Sequence, residues 1–147
     1  IMKTGPLPFG LKISIISRAF RKKMDEKACA MGLTAVQLRV LGAVSLLEES
    51  GETDIHQNDL EKIERVTHPA MTRVIQKLES KGFITCVTAP RDRRYKKISC
   101  TEQSRGIHNT FAEQDEEVLA ELCRGFTDEQ KKTLFTLTDM LVRNISR

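Results

Sequence analysis

A mainly α fold carrying one small β-hairpin is predicted by three features of the sequence. Apolar residues recur at helical spacing over most of the chain, two Thr-x-x-Gln segments can cap helices, and two β-rich segments flank a basic turn. The 147 residues, 39% of them hydrophobic, suffice for one compact domain or one dimer-forming unit with a modest core. The longest apolar stretch, Val40 to Leu47, is interrupted by Gly42 and Ser45. It falls far short of the roughly twenty residues a bilayer span needs, so no membrane partner is expected. Residues 1–8 lack the basic region, apolar run and cleavage site of a secretion signal, and a cytoplasmic address is expected. The four cysteines (Cys29, Cys86, Cys100, Cys123) are scattered without a C-x-x-C pair, which argues against a disulfide scaffold or a structural zinc.

From Leu7 to Met31, the residues Leu11, Ile15, Ile16, Ala19, Phe20, Met24 and Ala28 predict one long amphipathic helix that Gly32 stops. Thr34 to Gln37 forms a capping box and starts a second helix. Its apolar set, Val36, Val40, Ala43, Val44 and Leu47 with Leu38 and Leu41, runs nearly all round, so it should be central and buried. Glu48 to Asp54 reads as a polar loop, and Ile55 to Ile63 as two or three helical turns. Thr67 can cap the next helix, with Pro69 in a first turn where a missing N–H costs nothing. Met71, Val74, Ile75 and Leu78 make its apolar stripe; the opposite side carries Pro69, Thr72, Arg73, Gln76, Lys77 and Ser80, and Gly82 ends it. Phe83 to Thr88 and Tyr95 to Thr101 are β-rich and flank Ala-Pro-Arg-Asp-Arg-Arg, a hairpin with a basic tip. Glu102 to Arg124 reads as a further helical stretch. Thr127 to Gln130, the second capping box, launches a last helix with Leu134, Leu137, Leu141 and Ile145 on one stripe.

Charge is distributed unevenly along these elements. Residues 65–97 hold nine basic and two acidic side chains, a net of +7 in a chain whose formal total is +4. Taken alone, a charge-rich stretch is a solvated face. Here the same window contains a helix with a polar outer side followed by a hairpin, the footprint of a surface that neutralises phosphates and releases their counterions. Two short helices, a tight turn, and a hairpin in that order describe a winged helix-turn-helix, whose second helix enters the major groove while the hairpin reaches the backbone or the minor groove. The sequence therefore divides into residues 1–33, an N-terminal helix contributing to dimerisation; residues 34–101, the winged DNA-binding module; and residues 102–147, C-terminal dimerisation helices. The terminal helices carry more apolar surface than the module can cover, which calls for a second subunit.

Thr67 to Thr101 resembles the MarR family of bacterial winged-helix transcription regulators. The family's D-x-R-x-x-x-L-x-L-T wing pattern stands here as Asp92-Arg93-Arg94-Tyr95-Lys96-Lys97-Ile98-Ser99-Cys100-Thr101, and its L-E-x-K-G run as Leu78-Glu79-Ser80-Lys81-Gly82. Pro69 and Arg73 occupy the family's proline and arginine. The sequence departs from the family in having Glu61 for a small alanine, no glycine in the inter-helix turn, Cys100 for the second leucine, and Cys86 where a basic residue is frequent. A left-handed Arg65 in that turn would cost about 1 kcal/mol. The resemblance implies a homodimeric repressor on a pseudo-palindromic operator, with half-sites roughly 10 base pairs apart, released when a small-molecule effector binds. It also implies that Arg94 enters the minor groove.

The residues assign the remaining roles on double-stranded DNA. Arg91 and Arg93 suit phosphates, Lys96 adds charge on the wing, and Asp92 pairs with a neighbouring arginine to fix the hairpin. Arg73 can hold guanine O6 and N7, or else a phosphate or Glu79; Gln76 can read adenine, and Thr72 a thymine methyl or a phosphate. Thr67 and His68 stand at a helix N-terminus that favours phosphate, capping being the leading role for Thr67. His56, His68 and His108 are too dispersed for a metal, and no cofactor is expected. No Gly-rich phosphate loop or nucleophile-base pair is visible, so no enzyme and no catalytic residue are expected. The alternatives are a regulator sensing oxidation through a cysteine and a winged module used for protein contacts.

Overall fold

A computed structural model describes residues 6–88 and 95–146. It contains, in chain order, helices α1 (Phe9–Ala30), α2 (Ala35–Glu49), α3 (Gln57–Glu64) and α4 (His68–Ser80), strands β1 (Ile84–Thr88) and β2 (Lys96–Cys100), and helices α5 (His108–Leu122) and α6 (Asp128–Ile145). The chain forms two compact units, residues 1–114 and 115–147.

The first unit is built around α2. Its start is set by the Thr34 box: the Gln37 N–H donates to Thr34 Oγ1 at 3.2 Å, and the Thr34 N–H donates to Gln37 Oε1 at 3.0 Å. Leu38, Val40, Leu41 and Val44 are fully buried against Leu60 of α3, Met71 and Leu78 of α4, and Ile84 and Ile98 of the hairpin. Gly42 is required by its neighbour, since a Cβ there would lie 2.1 Å from the Phe111 ring. One turn further, Ser45 is buried and its Oγ lies 2.6 Å from His108 Nδ1.

The hairpin is antiparallel, with Ile84 opposite Cys100 and Cys86 opposite Ile98. The outer edge of β2 is not left open. Ile98 donates its N–H to the Ile55 carbonyl at 2.8 Å, and the Cys100 N–H goes to the Glu48 carboxylate. A single residue and a carboxylate thus stand in for a third strand and blunt an edge that would otherwise invite pairing.

Three expectations need correction. Ile55 lies outside α3, because its carbonyl serves the hairpin. The helix expected from Glu102 begins only at His108. Gly106 has φ 76°, incompatible with a continuous helix, and Ser104 is buried with its hydroxyl donating to the Phe83 carbonyl. Thr67 does occupy the N-cap position of α4, but its hydroxyl makes no capping bond. Arg65 has φ 51° and ψ 44°, the one non-glycine residue with positive φ among those described, as the glycine-free turn demands.

The second unit holds the end of α5 and all of α6. Thr127 and Gln130 form the expected capping box at 3.1 and 2.9 Å. Val118 and Cys123 are buried, but no residue of α6 is.

Candidate nucleic-acid interface

α4 divides its side chains by chemistry as the 100° step between residues requires. Met71, Ile75 and Leu78 are buried in the core and Val74 packs against it. Pro69, Arg73, Gln76, Lys77 and Ser80 are exposed and Thr72 is half-buried. Neither Arg73 nor Gln76 has a hydrogen-bonding or ionic partner among the described residues. Glu79, the alternative partner considered for Arg73, hydrogen-bonds the Cys86 thiol instead.

The wing contributes Lys96 and Lys97, both exposed on β2. A cavity of about 210 Å³ runs between the start of α3, the N-terminal part of α4 and the hairpin, lined by His56, Gln57, His68, Cys86, Lys96 and Ile98. His68 and Lys96, far apart in sequence, therefore border one groove. Arg91, Asp92, Arg93 and Arg94 lie outside the described residues. Lys81, counted in the basic window, serves the fold: its Nζ donates to the Gly32 carbonyl in the turn after α1.

A polar network locks α3 to the start of α4. Glu61 Oε2 lies 3.0 Å from His68 Nδ1, which places the ring proton on that nitrogen. Gln57 Nε2 stands 3.1 Å from the same nitrogen, but its two hydrogens are taken elsewhere, by the His68 carbonyl at 3.2 Å and Thr72 Oγ1 at 2.9 Å. The Thr72 hydroxyl in turn donates to the His68 carbonyl at 3.0 Å. Glu61, where the family favours a small alanine, is thus accommodated by pairing across the inter-helix turn. Arg39 of α2 braces the other end of α3 through Glu64 at 3.2 Å.

His56 connects the same helix to the wing. Its Nδ1–H donates to the Lys96 carbonyl at 3.2 Å, Nε2 lies 2.8 Å from Asp54 Oδ1, and the ring meets Tyr95 edge-on at 5.6 Å. Sequence reasoning weighed His56 only as a metal ligand and passed over Gln57, because each acts across elements. The one available signal was their position at the first turn of a short helix followed by a second.

Among the described residues, no three His, Cys, Asp or Glu side chains stand together where they could hold a metal ion, and no single helix is long and apolar enough to cross a membrane. A family model described as the MarR family matches residues 31–94, from the turn after α1 to the residue before Tyr95. Over this segment, somewhat under half of its length, the chain is similar to the MarR family. Solved structures of the family share its architecture of six helices and a two-stranded wing. The reduced form of MarR from E. coli matches with a TM-score of 0.75 and 23% identity, covering 94% of this chain and 98% of that one. A MarR transcriptional regulator from Methanosarcina mazei matches with a TM-score of 0.71 and 21% identity over 92% of this chain and 94% of that one. A protein described as a MarR family transcriptional regulator from Listeria monocytogenes, complexed with 26mer DNA, matches with a TM-score of 0.72 and 20% identity, covering 95% and 90%.

Proposed function

We propose that this protein is a sequence-specific transcriptional regulator that binds double-stranded DNA as a homodimer, with α4 in the major groove and the wing along the flanking backbone. The observation that carries this reading is the division of α4. Its apolar residues are consumed by the core, while Arg73, Gln76 and Lys77 stand exposed beside a wing strand bearing Lys96 and Lys97. In this reading Thr67, whose hydroxyl makes no capping bond, and His68 meet a phosphate at the N-terminus of α4. Pro69 and Thr72 complete this surface in our reading, and Arg91, Asp92, Arg93 and Arg94, outside the described residues, are assigned to the DNA by their sequence pattern. The DNA in the Listeria monocytogenes structure supports the same reading.

Residues 1–33 and 102–147 are assigned to dimerisation. Phe9 is 66% exposed and Ile145 83% exposed in the single chain, and Ile13, Ile16, Leu137 and Leu141 repeat that exposure along α1 and α6. A two-fold dimer sets two modules on a pseudo-palindromic operator with half-sites about 10 base pairs apart. By its resemblance to the MarR family the protein is read as a cytoplasmic repressor released by a small effector.

A salt titration of duplex binding tests the reading. Logarithmic affinity is expected to fall with logarithmic salt with a slope steeper than about −3, the signature of four or more neutralised phosphates. A flat dependence overturns it.

A further inference from the structure

Threonine offers a duplex one hydroxyl hydrogen, two hydroxyl lone pairs and a methyl group. On the outer side of α4 the hydroxyl of Thr72 is already engaged twice. It donates to the His68 carbonyl at 3.0 Å and accepts from Gln57 Nε2 at 2.9 Å. In a helix, threonine divides between two χ1 rotamers because its hydroxyl can bond a carbonyl in the preceding turn. Here that carbonyl and an amide from the neighbouring helix select the same one. Gln57 is itself held, since its second amide hydrogen goes to the same His68 carbonyl at 3.2 Å.

We propose that Thr72 reads DNA through its γ-methyl group, packed on the 5-methyl of a thymine in the major groove, and that Gln57 is the positioning residue that fixes this choice. The inference rests on the DNA-binding reading above and goes beyond it in naming the base and the group read. A free hydroxyl at this position would meet a phosphate oxygen or any base acceptor with little discrimination. With its hydrogen and one lone pair committed inward, the side chain has no donor left for a phosphate or a base acceptor, and beyond a single remaining lone pair it has its methyl group to offer. The thymine methyl is the one apolar group that the major-groove edges of the four bases present. Arg73 and Gln76, unpaired among the described residues, remain available for the polar edges.

The test uses the full chain and duplexes selected by it from a randomised pool, with each thymine replaced singly by deoxyuridine. One thymine per half-site is expected to lose about fourfold in affinity on losing its methyl, the worth of one buried methyl-sized group. Thr72→Ser, which keeps both hydroxyl bonds, is expected to bind thymine and deoxyuridine duplexes alike. Thr72→Val, which keeps a methyl, is expected to retain the fourfold ratio. Gln57→Met is expected to bring the ratio toward one, whereas a purely structural role would weaken both duplexes equally and leave the ratio intact. Salt-dependent binding with no thymine sensitive to deoxyuridine overturns this inference and leaves the regulator reading standing. So does a Thr72→Ser variant that keeps the ratio. Absence of salt-dependent binding overturns both.

Discussion

Helices α2 and α6 begin in the same way and end in opposite situations. Each starts at a Thr-x-x-Gln capping box with both reciprocal bonds made, and each is rich in leucine. Yet α2 buries Leu38, Val40, Leu41, Gly42, Val44 and Ser45, and α6 buries nothing. The difference lies in how the apolar residues are arranged. Those of α2 run nearly all round and include a glycine that lets Phe111 approach, so the helix is enclosed by its own chain. Those of α6 lie chiefly along one stripe, which suits a helix covered from one side. A capping box thus decides where a helix begins and says nothing about what will cover it.

The largest effect that separates the two helices is expected from truncating leucines. Leu41→Ala, at a fully buried site in α2, should lower unfolding stability by about 2 to 5 kcal/mol at any protein concentration, as read by urea denaturation. Leu137→Ala in α6, where the residue is 53% exposed in the single chain, should cost less than about 1 kcal/mol if that surface stays uncovered. If a second copy covers it, the loss should approach the α2 value and vary with protein concentration. Leu137→Glu is the sharper test of the dimer: sedimentation at micromolar concentration should report a monomer, and operator affinity should fall at least about a hundredfold, roughly 2.8 kcal/mol. A dimer with unchanged affinity would remove α6 from the interface. Gly42→Ala comes next. It thrusts a methyl group into the Phe111 ring and should cost about 1 to 3 kcal/mol, with Phe111→Leu relieving part of the loss.

The same contrast explains which parts of the fold were legible in the sequence. Both capping boxes, the glycine stops after α1 and α4, and the two faces of α4 are local patterns, and each appears in the structure where its residues place it. What escaped was coded across distance. Nothing beside Ile55 announces that its carbonyl will pair with Ile98, nor beside Glu48 that it will hold the Cys100 N–H. The link from Gln57 to Thr72 spans fifteen positions and depends on the angle between two helices. The expected helix from Glu102 failed for a related reason, because Ser104 is drawn into a tertiary bond with Phe83 before Gly106 turns the chain. For the candidate interface, the exposed face of α4 was legible by helical spacing. The residues that orient them were not, since Gln57 and Glu61 have no periodic pattern to betray them.

The smallest expected effect concerns the cysteines of the wing, and it separates the winged module from sensors that work by oxidation. Cys86 and Cys100 face the same side of the hairpin but sit diagonally, opposite Ile98 and Ile84, so their Cα atoms fall about 7 to 8 Å apart, beyond the usual disulfide range. Burial pushes the Cys86 thiol up to about 11, reinforced by the charge of Glu79 and a hydrogen bond to it. Burial likewise takes Cys100 up to about 11, with a bond to Ser104 opposing and the nearby Glu48 adding to the rise. At pH 8 each should hold about a hundredfold less thiolate than an ordinary cysteine and react with iodoacetamide correspondingly slowly, whereas the exposed Cys29 should be modified first. Mild peroxide should therefore leave operator affinity unchanged in a Cys29→Ser variant; a loss of affinity restored by dithiothreitol would make the wing a redox element after all. The same pKa values fix a pH window. Because the folded-state values lie above the unfolded one of 9.0, the stabilising contribution is complete below pH 9 and is lost as pH rises through about 11. Thermal midpoints should fall across that interval, and Cys86→Val should flatten the fall if the buried thiol is its source.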